Sequence, residues 1–72
     1  MEPRQRRFQL AKSIQVELAR PGWTQQHLSE VAQMPLSVLE HKLAGDMPID
    51  LDELEAIAEA LGVAVDSLLG ER

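Results

Sequence analysis

The sequence contains no cysteine and only two histidines, His27 and His41. The absence of thiols excludes disulfide bonds, thiolate metal sites and cysteine nucleophiles. No acidic residue has a helical spacing that would complete a convincing metal site with both imidazoles. We therefore expect no structural or catalytic metal and no cofactor.

Long apolar runs and catalytic patterns are missing as well. No stretch approaches the ~18 apolar residues that cross a membrane, and the chain does not open on a basic and then apolar signal segment. No nucleophile–base pair and no phosphate-binding glycine loop is present, so we do not expect an enzyme. These absences predict a soluble, cytoplasmic protein, and 72 residues leave room for one domain with one small core.

Positive charge is scarce and unevenly distributed. The formal net charge is −5, which argues against a non-specific nucleic-acid binder. Residues 1–45 carry six Lys and Arg against four Asp and Glu, whereas residues 46–72 carry one against eight. A basic front and an acidic back are typical of a polarised docking protein, although acidic residues that merely solubilise the C-terminal helices explain the pattern too.

Helical periodicity predicts five short helices with no strand. Residues 1–7 are polar and basic, with Pro3 blocking an early helix start, so we expect a flexible N-terminal arm whose last residues can join the first helix. A first helix over residues 8–19 is indicated by apolar residues at three- and four-residue steps, and Pro21-Gly22 ends it. The stripe of this helix consists of Leu10, Ala11, Ile14 and Leu18, with Val16 lying off it.

The segment from Trp23 to Gly45 predicts two helices joined by a tight turn. Thr24 is a favourable N-cap for the second helix, and Trp23 with Leu28 has the spacing of a hydrophobic staple. The turn at residues 33–35 precedes a third helix that Gly45 closes. Many small proteins use two such helices to hold one of them toward a DNA groove.

The fourth helix has the clearest start signal in the chain. Asp50 and Glu53 have the spacing of a capping box, and Gly62 marks the end of the helix. A last short helix is expected over residues 63–69. The inward stripes of the second and fourth helices are predicted to contain Leu28, Val31, Ala32, Leu51, Leu54, Ile57, Ala58 and Leu61. These elements predict a compact all-α domain over residues 8–70.

The chain resembles the Cro/repressor-type, or XRE-like, helix-turn-helix family over about residues 10–69. The resemblance rests on the Thr24-Gln25 helix start, on Leu28 with a small residue after it, on Leu39 and Gly45, and on the stretch LDELEAIAEALGVAVDSLL. It implies a five-helix, lambda-repressor-like domain whose helix-turn-helix spans about residues 24–45.

The resemblance also implies particular DNA contacts. Gln25 matches the position that bonds a phosphate and braces the recognition helix, and the front of that helix reads base edges. The base-reading front corresponds to Leu36, Ser37 and Val38. Further base or phosphate contacts are implied for Glu40, His41, Lys42, Arg4, Arg6 and Arg7, of which the last three belong to the arm.

Three departures from the family pattern affect this implication. Gln33 stands where the family has glycine, and a left-handed backbone there would cost about 1 kcal/mol. Pro35 and Leu36 replace a serine and a polar reader. Glu40 and Asp46 place carboxylates where relatives have polar or basic residues, and carboxylates repel phosphates.

The leading hypothesis is a small, non-enzymatic, sequence-specific DNA-binding regulator of the phage or bacterial repressor kind. It would bind double-stranded DNA as a homodimer, because one recognition helix with few donors cannot supply ordinary operator affinity. The expected dimer surface consists of Val63, Val65, Leu68 and Leu69; alternatively, these residues only close the core of a monomer.

The alternative hypothesis is a helix-turn-helix domain that acts mainly in protein contact, antitoxin-like or as a co-regulator, with weak or no DNA binding. The net charge, Glu40, Asp46 and Leu36 favour this alternative. A basic protein partner would then dock on the acidic C-terminal half.

Overall fold

The computed structural model describes residues 3–69, and of residues 3 and 4 only the backbone. Five α-helices lie in this part of the chain, which confirms the predicted all-α class. Their bounds are Pro3–Ala19 (α1), Gln25–Ala32 (α2), Leu36–Leu43 (α3), Leu51–Leu61 (α4) and Val65–Leu69 (α5). Among these helices, none is both long enough and apolar enough to span a membrane.

Helix α1 begins five residues earlier than the sequence predicted. Residues 3–7, which were expected to form a flexible arm, continue the helix toward the N-terminus. Pro3 is the first residue of α1, where its missing N–H costs nothing because first-turn N–H groups have no acceptor within a helix. The expectation that Pro3 blocks the start is therefore wrong. Met1, Glu2 and the side chain of Arg4 lie outside the described residues.

The core lies where all five helices meet. Its largest fully buried side chains come from α1, α2, α3, α4 and α5, and they are Ile14, Leu28, Leu39, Leu43, Ile57 and Leu68. Trp23 and Ile49 pack against this cluster from the segments that precede α2 and α4. One small core therefore holds every helix in place, as a chain of this length requires.

Two residues of the predicted inward stripes are exposed instead. Leu51 is the first residue of α4 and lies beyond the edge of the core. Val31 is 45% exposed because α2 buries the side formed by Leu28 and Ser29. At about 100° of rotation per residue, Val31 falls outside that side of the helix.

Helices α1 to α4 end in the same arrangement of backbone hydrogen bonds. At the end of α3, the N–H of Gly45 donates to the carbonyl of Lys42 (3.1 Å) and the N–H of Asp46 donates to the carbonyl of His41 (3.0 Å). This pair of bonds is the Schellman motif, which needs one residue in the left-handed region. In α2 that residue is Gln33, with φ 59° and ψ 45°, so the strained backbone expected there is confirmed.

The predicted caps are confirmed as well. The hydroxyl of Thr24 accepts a hydrogen bond of 3.1 Å from the N–H of His27 at the start of α2. At the start of α4, the N–H of Glu53 donates to Asp50 Oδ1 (2.8 Å) and the N–H of Asp50 donates to Glu53 Oε1 (3.0 Å), which completes the capping box. Helix α5 starts at Val65, two residues later than predicted, and Gly70 lies outside the described residues.

Candidate nucleic-acid interface

Helix α3 is buried on one side and open on the other. Leu39 and Leu43 enter the core, whereas the side chains of Ser37, Glu40 and His41 are exposed. The left-handed Gln33 turns the chain between α2 and α3, so that α2 supports α3 from behind. The described structure therefore presents the outer side of α3 to solvent, as a recognition helix requires.

The first turn of α3 combines backbone donors with small or half-buried side chains. Its N-cap is Pro35, which makes no side-chain capping bond, and the first helical hydrogen bond runs from the N–H of Leu39 to the carbonyl of Pro35. The N–H groups of residues 36–38 therefore have no acceptor within the helix. Such a helix start attracts a phosphate or another anion, because the helix dipole adds to the free donors.

The predicted reading residues differ in how accessible they are. Ser37 is exposed, while Leu36 and Val38 are half-buried and flank it. Gln25, the first residue of α2, is also half-buried. Ser37 is therefore the one polar side chain among these four that is fully presented, and the two aliphatic neighbours leave part of their surface available for apolar contact.

The C-terminal half of the open side is acidic. Glu40 is exposed, and Asp46 Oδ2 lies 3.6 Å from His41 Nδ1 in an exposed pair. This contact is an ion pair only when the imidazole of His41 is protonated. A neighbouring carboxylate thus offsets whatever attraction His41 has for a phosphate.

Lys42 is not on the open side of α3, contrary to the sequence prediction. Its side chain is only 8% exposed, and its ammonium is paired with the carboxylate of Glu53. The same Nζ donates to the carbonyl of Pro48 at 3.2 Å. Lys42 follows His41 by one residue, a rotation of about 100° around the helix axis, and its side chain therefore faces the start of α4. A phosphate contact requires an exposed ammonium, and Lys42 is buried. Lys42 is therefore not part of the candidate interface.

The basic residues predicted for the arm lie on α1. Arg6 is exposed and Arg7 is half-buried, and both line a groove between α1 and α5 that includes no residue of α2 or α3. The structure therefore does not bring Arg6 and Arg7 together with the open side of α3. The side chain of Arg4 is outside the described part of the chain.

The sequence pattern did not predict one contact near α3, that between Phe8 and Gly45. The ring of Phe8 covers Gly45, such that a Cβ atom at residue 45 would lie 2.5 Å from Phe8 Cδ1. Gly45 also has φ 82°. The start of α1 therefore packs on the end of α3, and the position of Phe8 off the apolar stripe gave no signal of it.

The four residues of the expected dimer surface differ in exposure. Leu68 is fully buried, and Val63 and Val65 are half-buried and packed on the core. Only Leu69 of the four predicted residues is exposed. Leu68, Val63 and Val65 contribute to the core, while Leu69 and the open parts of the two valines remain accessible, so the homodimer stays a prediction.

A family comparison places this geometry in context. The model of the BetR domain matches residues 7–72, which include α2 to α5 and most of α1. The chain belongs to the BetR domain family. BetR domains are small helical domains associated with regulators of the helix-turn-helix type. No curated protein and no solved structure matches the chain.

The open side of α3 in this BetR domain carries no fixed positive charge. Lys42 is the only Lys or Arg between residues 21 and 69, and Glu53 neutralises it. Three exposed acids, Glu30, Glu40 and Asp46, lie within residues 24–46. DNA contact through this side would therefore depend on backbone donors and on uncharged side chains.

Proposed function

We propose that this BetR domain is a small, non-enzymatic, sequence-specific DNA-binding regulator of the phage or bacterial repressor kind. The observation that carries the proposal is the two-sided α3, with Leu39 and Leu43 buried and Ser37 exposed beside an uncapped first turn. Membership of a family associated with helix-turn-helix regulators supports it. The resemblance to Cro/repressor-type domains agrees with the same proposal.

In the proposed complex, the first turn of α3 enters the major groove. The hydroxyl of Ser37 donates to or accepts from a base edge, and the half-buried Leu36 and Val38 contact thymine methyl groups. The side chain of Gln25, at the start of α2, bonds a phosphate and thereby fixes α3 relative to the duplex.

We further propose that two copies occupy one operator. A single exposed hydroxyl and a few backbone donors provide little discrimination, so ordinary operator affinity requires two recognition helices on half-sites about one helical turn apart. The stoichiometry on DNA, measured by sedimentation of the complex, tests this point. Because the proposed operator is phage or bacterial DNA, we propose the bacterial cytoplasm as the site of action.

The experiment is a selection from random DNA followed by a salt titration of the selected site. A DNA regulator shows log affinity that falls linearly with log salt, with a slope that reflects the phosphates neutralised. Ser37→Ala should lower the affinity for the selected site about fivefold or more, and it should lower the affinity for random DNA less than that. The matched control is Ser67→Ala, an exposed serine on α5 that should leave both affinities unchanged.

A second candidate function is protein contact with weak or no DNA binding. The pairing of Lys42 with Glu53 favours it specifically, because that ion pair removes the only cation of the helix-turn-helix from its surface. A basic partner would then dock on the acidic side chains of α4 and its neighbours. Absence of DNA binding at low salt would reject the first proposal and leave this one.

A further inference from the structure

A groove of about 870 Å³ runs between α1 and α5, away from α2 and α3. Its apolar surface comes from Leu10, Val16, Ile49 and Leu69. Val16 is 49% exposed and Leu69 is 47% exposed, so two aliphatic side chains of neighbouring helices stand open to solvent on the same surface. A contiguous apolar surface with a polar rim has the composition of a contact surface.

The rim of the groove is positively charged. Arg6, Arg7 and Lys12 line it, and Glu17 is the single acid among its lining residues. Glu17 Oε2 lies 3.7 Å from the guanidinium of Arg20, which is outside the lining, so that carboxylate already has a cation beside it. In a protein of net charge −5, this groove is a local region of the opposite sign.

One donor of the Arg7 guanidinium, its Nε, lacks an acceptor among residues 3–69. Its Nε is buried and makes no hydrogen bond within the described part of the chain. Buried donors in native proteins are paired, and a carboxylate is the acceptor that suits a guanidinium best. The groove therefore combines apolar surface with the cations Arg6, Arg7 and Lys12, and the Arg7 side chain would have to reorient for its Nε to reach an acidic group.

We propose that this groove binds an acidic amphipathic helix of another protein. The wall formed by α1 from Arg6 to Glu17 is about 16 Å long, which matches about three turns of helix. Apolar side chains of the partner at i, i+3 or i+4 and i+7 would cover Val16 and Leu69. Flanking Asp and Glu would meet Arg6, Arg7 and Lys12.

A second copy of this chain is a poorer occupant. The acidic helix α4 buries its own apolar stripe, including Leu54 and Ile57, and has little apolar surface to place in the groove. Two grooves that faced each other would bring the Arg6 and Lys12 side chains of both copies together, and like charges across an interface are costly. The proposal goes beyond DNA binding, because the groove and the open side of α3 share no residue.

The test uses the full chain with a synthetic helical peptide of about 14 residues, long enough for about three turns plus its ends. The peptide carries leucines at helical spacing flanked by Glu, and a matched peptide carries Lys in place of Glu. We expect the Glu peptide to bind and to shift the backbone amide resonances of Val16 and Leu69 but not those of Ser37 and His41. The Lys peptide should bind at least about tenfold more weakly.

Two variants of equally exposed valines sharpen the test. Val16→Asp should weaken the binding of the Glu peptide about tenfold or more, because it places a carboxylate where the peptide needs apolar contact and positive charge. Val31→Asp is the control on α2, outside the groove and 45% exposed, and should change the affinity less than about twofold. DNA binding should be unchanged in Val16→Asp, because residue 16 lines the groove and not the open side of α3, and this separates failure here from failure of the proposed function.

Several results would overturn the proposal. The first is that the Glu peptide does not bind, and the second is that the Lys peptide binds as tightly as the Glu peptide. The third is that Val16→Asp and Val31→Asp lose the same amount of affinity for the Glu peptide. A free chain that sediments as a dimer and becomes a monomer on Val16→Asp would instead make the groove an interface between copies.

Discussion

The ammonium of Lys42 lies against the carboxylate of Glu53 and so joins the last turn of α3 to the first turn of α4. Glu53 Oε1 also accepts from the N–H of Asp50, and Lys42 Nζ also donates to the carbonyl of Pro48. One carboxylate thus caps α4, neutralises Lys42 and fixes the loop between the helices. The same contact explains why α3 is held firmly from behind and why its outer side lacks a cation.

We predict that Lys42→Met destabilises the protein by about 2 kcal/mol. The methionine fills a similar volume but leaves Glu53 and the Pro48 carbonyl without their shared donor, and loss of one partner of a largely buried pair is costly. Urea denaturation measures the change as a lower midpoint at constant slope.

The control for Lys42→Met is Arg20→Met. Arg20 pairs with Glu17, but its side chain is 72% exposed, so its removal should cost less than about 0.5 kcal/mol. Adding Glu53→Gln to Lys42→Met should recover part of the loss, because the glutamine still accepts from Asp50 and carries no unpaired charge. Equal effects of Lys42→Met and Arg20→Met would mean that Lys42 is an ordinary surface cation, and it would return to the candidate interface.

Gln33→Gly is predicted to stabilise the protein by about 0.5–1 kcal/mol. Gln33 is exposed and has φ 59°, a conformation that glycine adopts without the steric cost of a Cβ. Gln33→Ala keeps the Cβ and should leave stability within about 0.3 kcal/mol, which makes it the matched control. Thermal unfolding of the three proteins measures both differences, and a gain in the alanine variant as large as in the glycine variant would contradict the backbone explanation.

The structure confirms most of what the sequence predicted about local structure, for physical reasons that operate within a few residues. The caps at Thr24 and Asp50 and the left-handed position at Gln33 are each determined by neighbours three or four positions away. Apolar periodicity likewise identified Ile14, Leu28 and Ile57 as core residues. Such signals are short-range and survive in a single sequence.

The outcome was different where the environment of a side chain depends on packing between distant helices. The spacing of Lys42 along α3 was compatible with solvent, and only the placement of Glu53 on α4 shows that it is buried. Leu68 and Leu69 are adjacent in sequence, yet one is fully buried and the other is open. The groove that includes Arg7 and Val16 arises from the docking of α5 on α1, which no local pattern encodes.

Gly45→Ala is predicted to destabilise the protein by about 2 kcal/mol, more than Gly62→Ala. Both glycines have positive φ, so each alanine incurs a backbone cost of about 1 kcal/mol. Only at residue 45 does the new methyl meet the ring of Phe8, whereas nothing lies within 4 Å of a Cβ at residue 62. Denaturant unfolding of Gly45→Ala combined with Phe8→Ala should show that the second change costs less than in the parent protein. Additive effects would exclude the contact.

The last prediction concerns the charge of the open side of α3. Glu40→Lys replaces an exposed carboxylate with an ammonium beside the proposed reading residues. It should raise the affinity for DNA at low salt about tenfold and steepen the dependence on salt by about one unit of log–log slope. A filter-binding or anisotropy titration at several salt concentrations measures both quantities.

The control for Glu40→Lys is Glu55→Lys, which makes the same change of net charge on the exposed side of α4. If α3 meets the duplex, the change at residue 40 acts next to phosphates and should exceed the change at residue 55 severalfold, since the effect of a charge fades beyond about one Debye length. Equal gains in DNA affinity from the two variants would show that the affinity responds only to the overall charge of the protein. No gain from either variant would argue that this helix-turn-helix contacts a protein and not DNA.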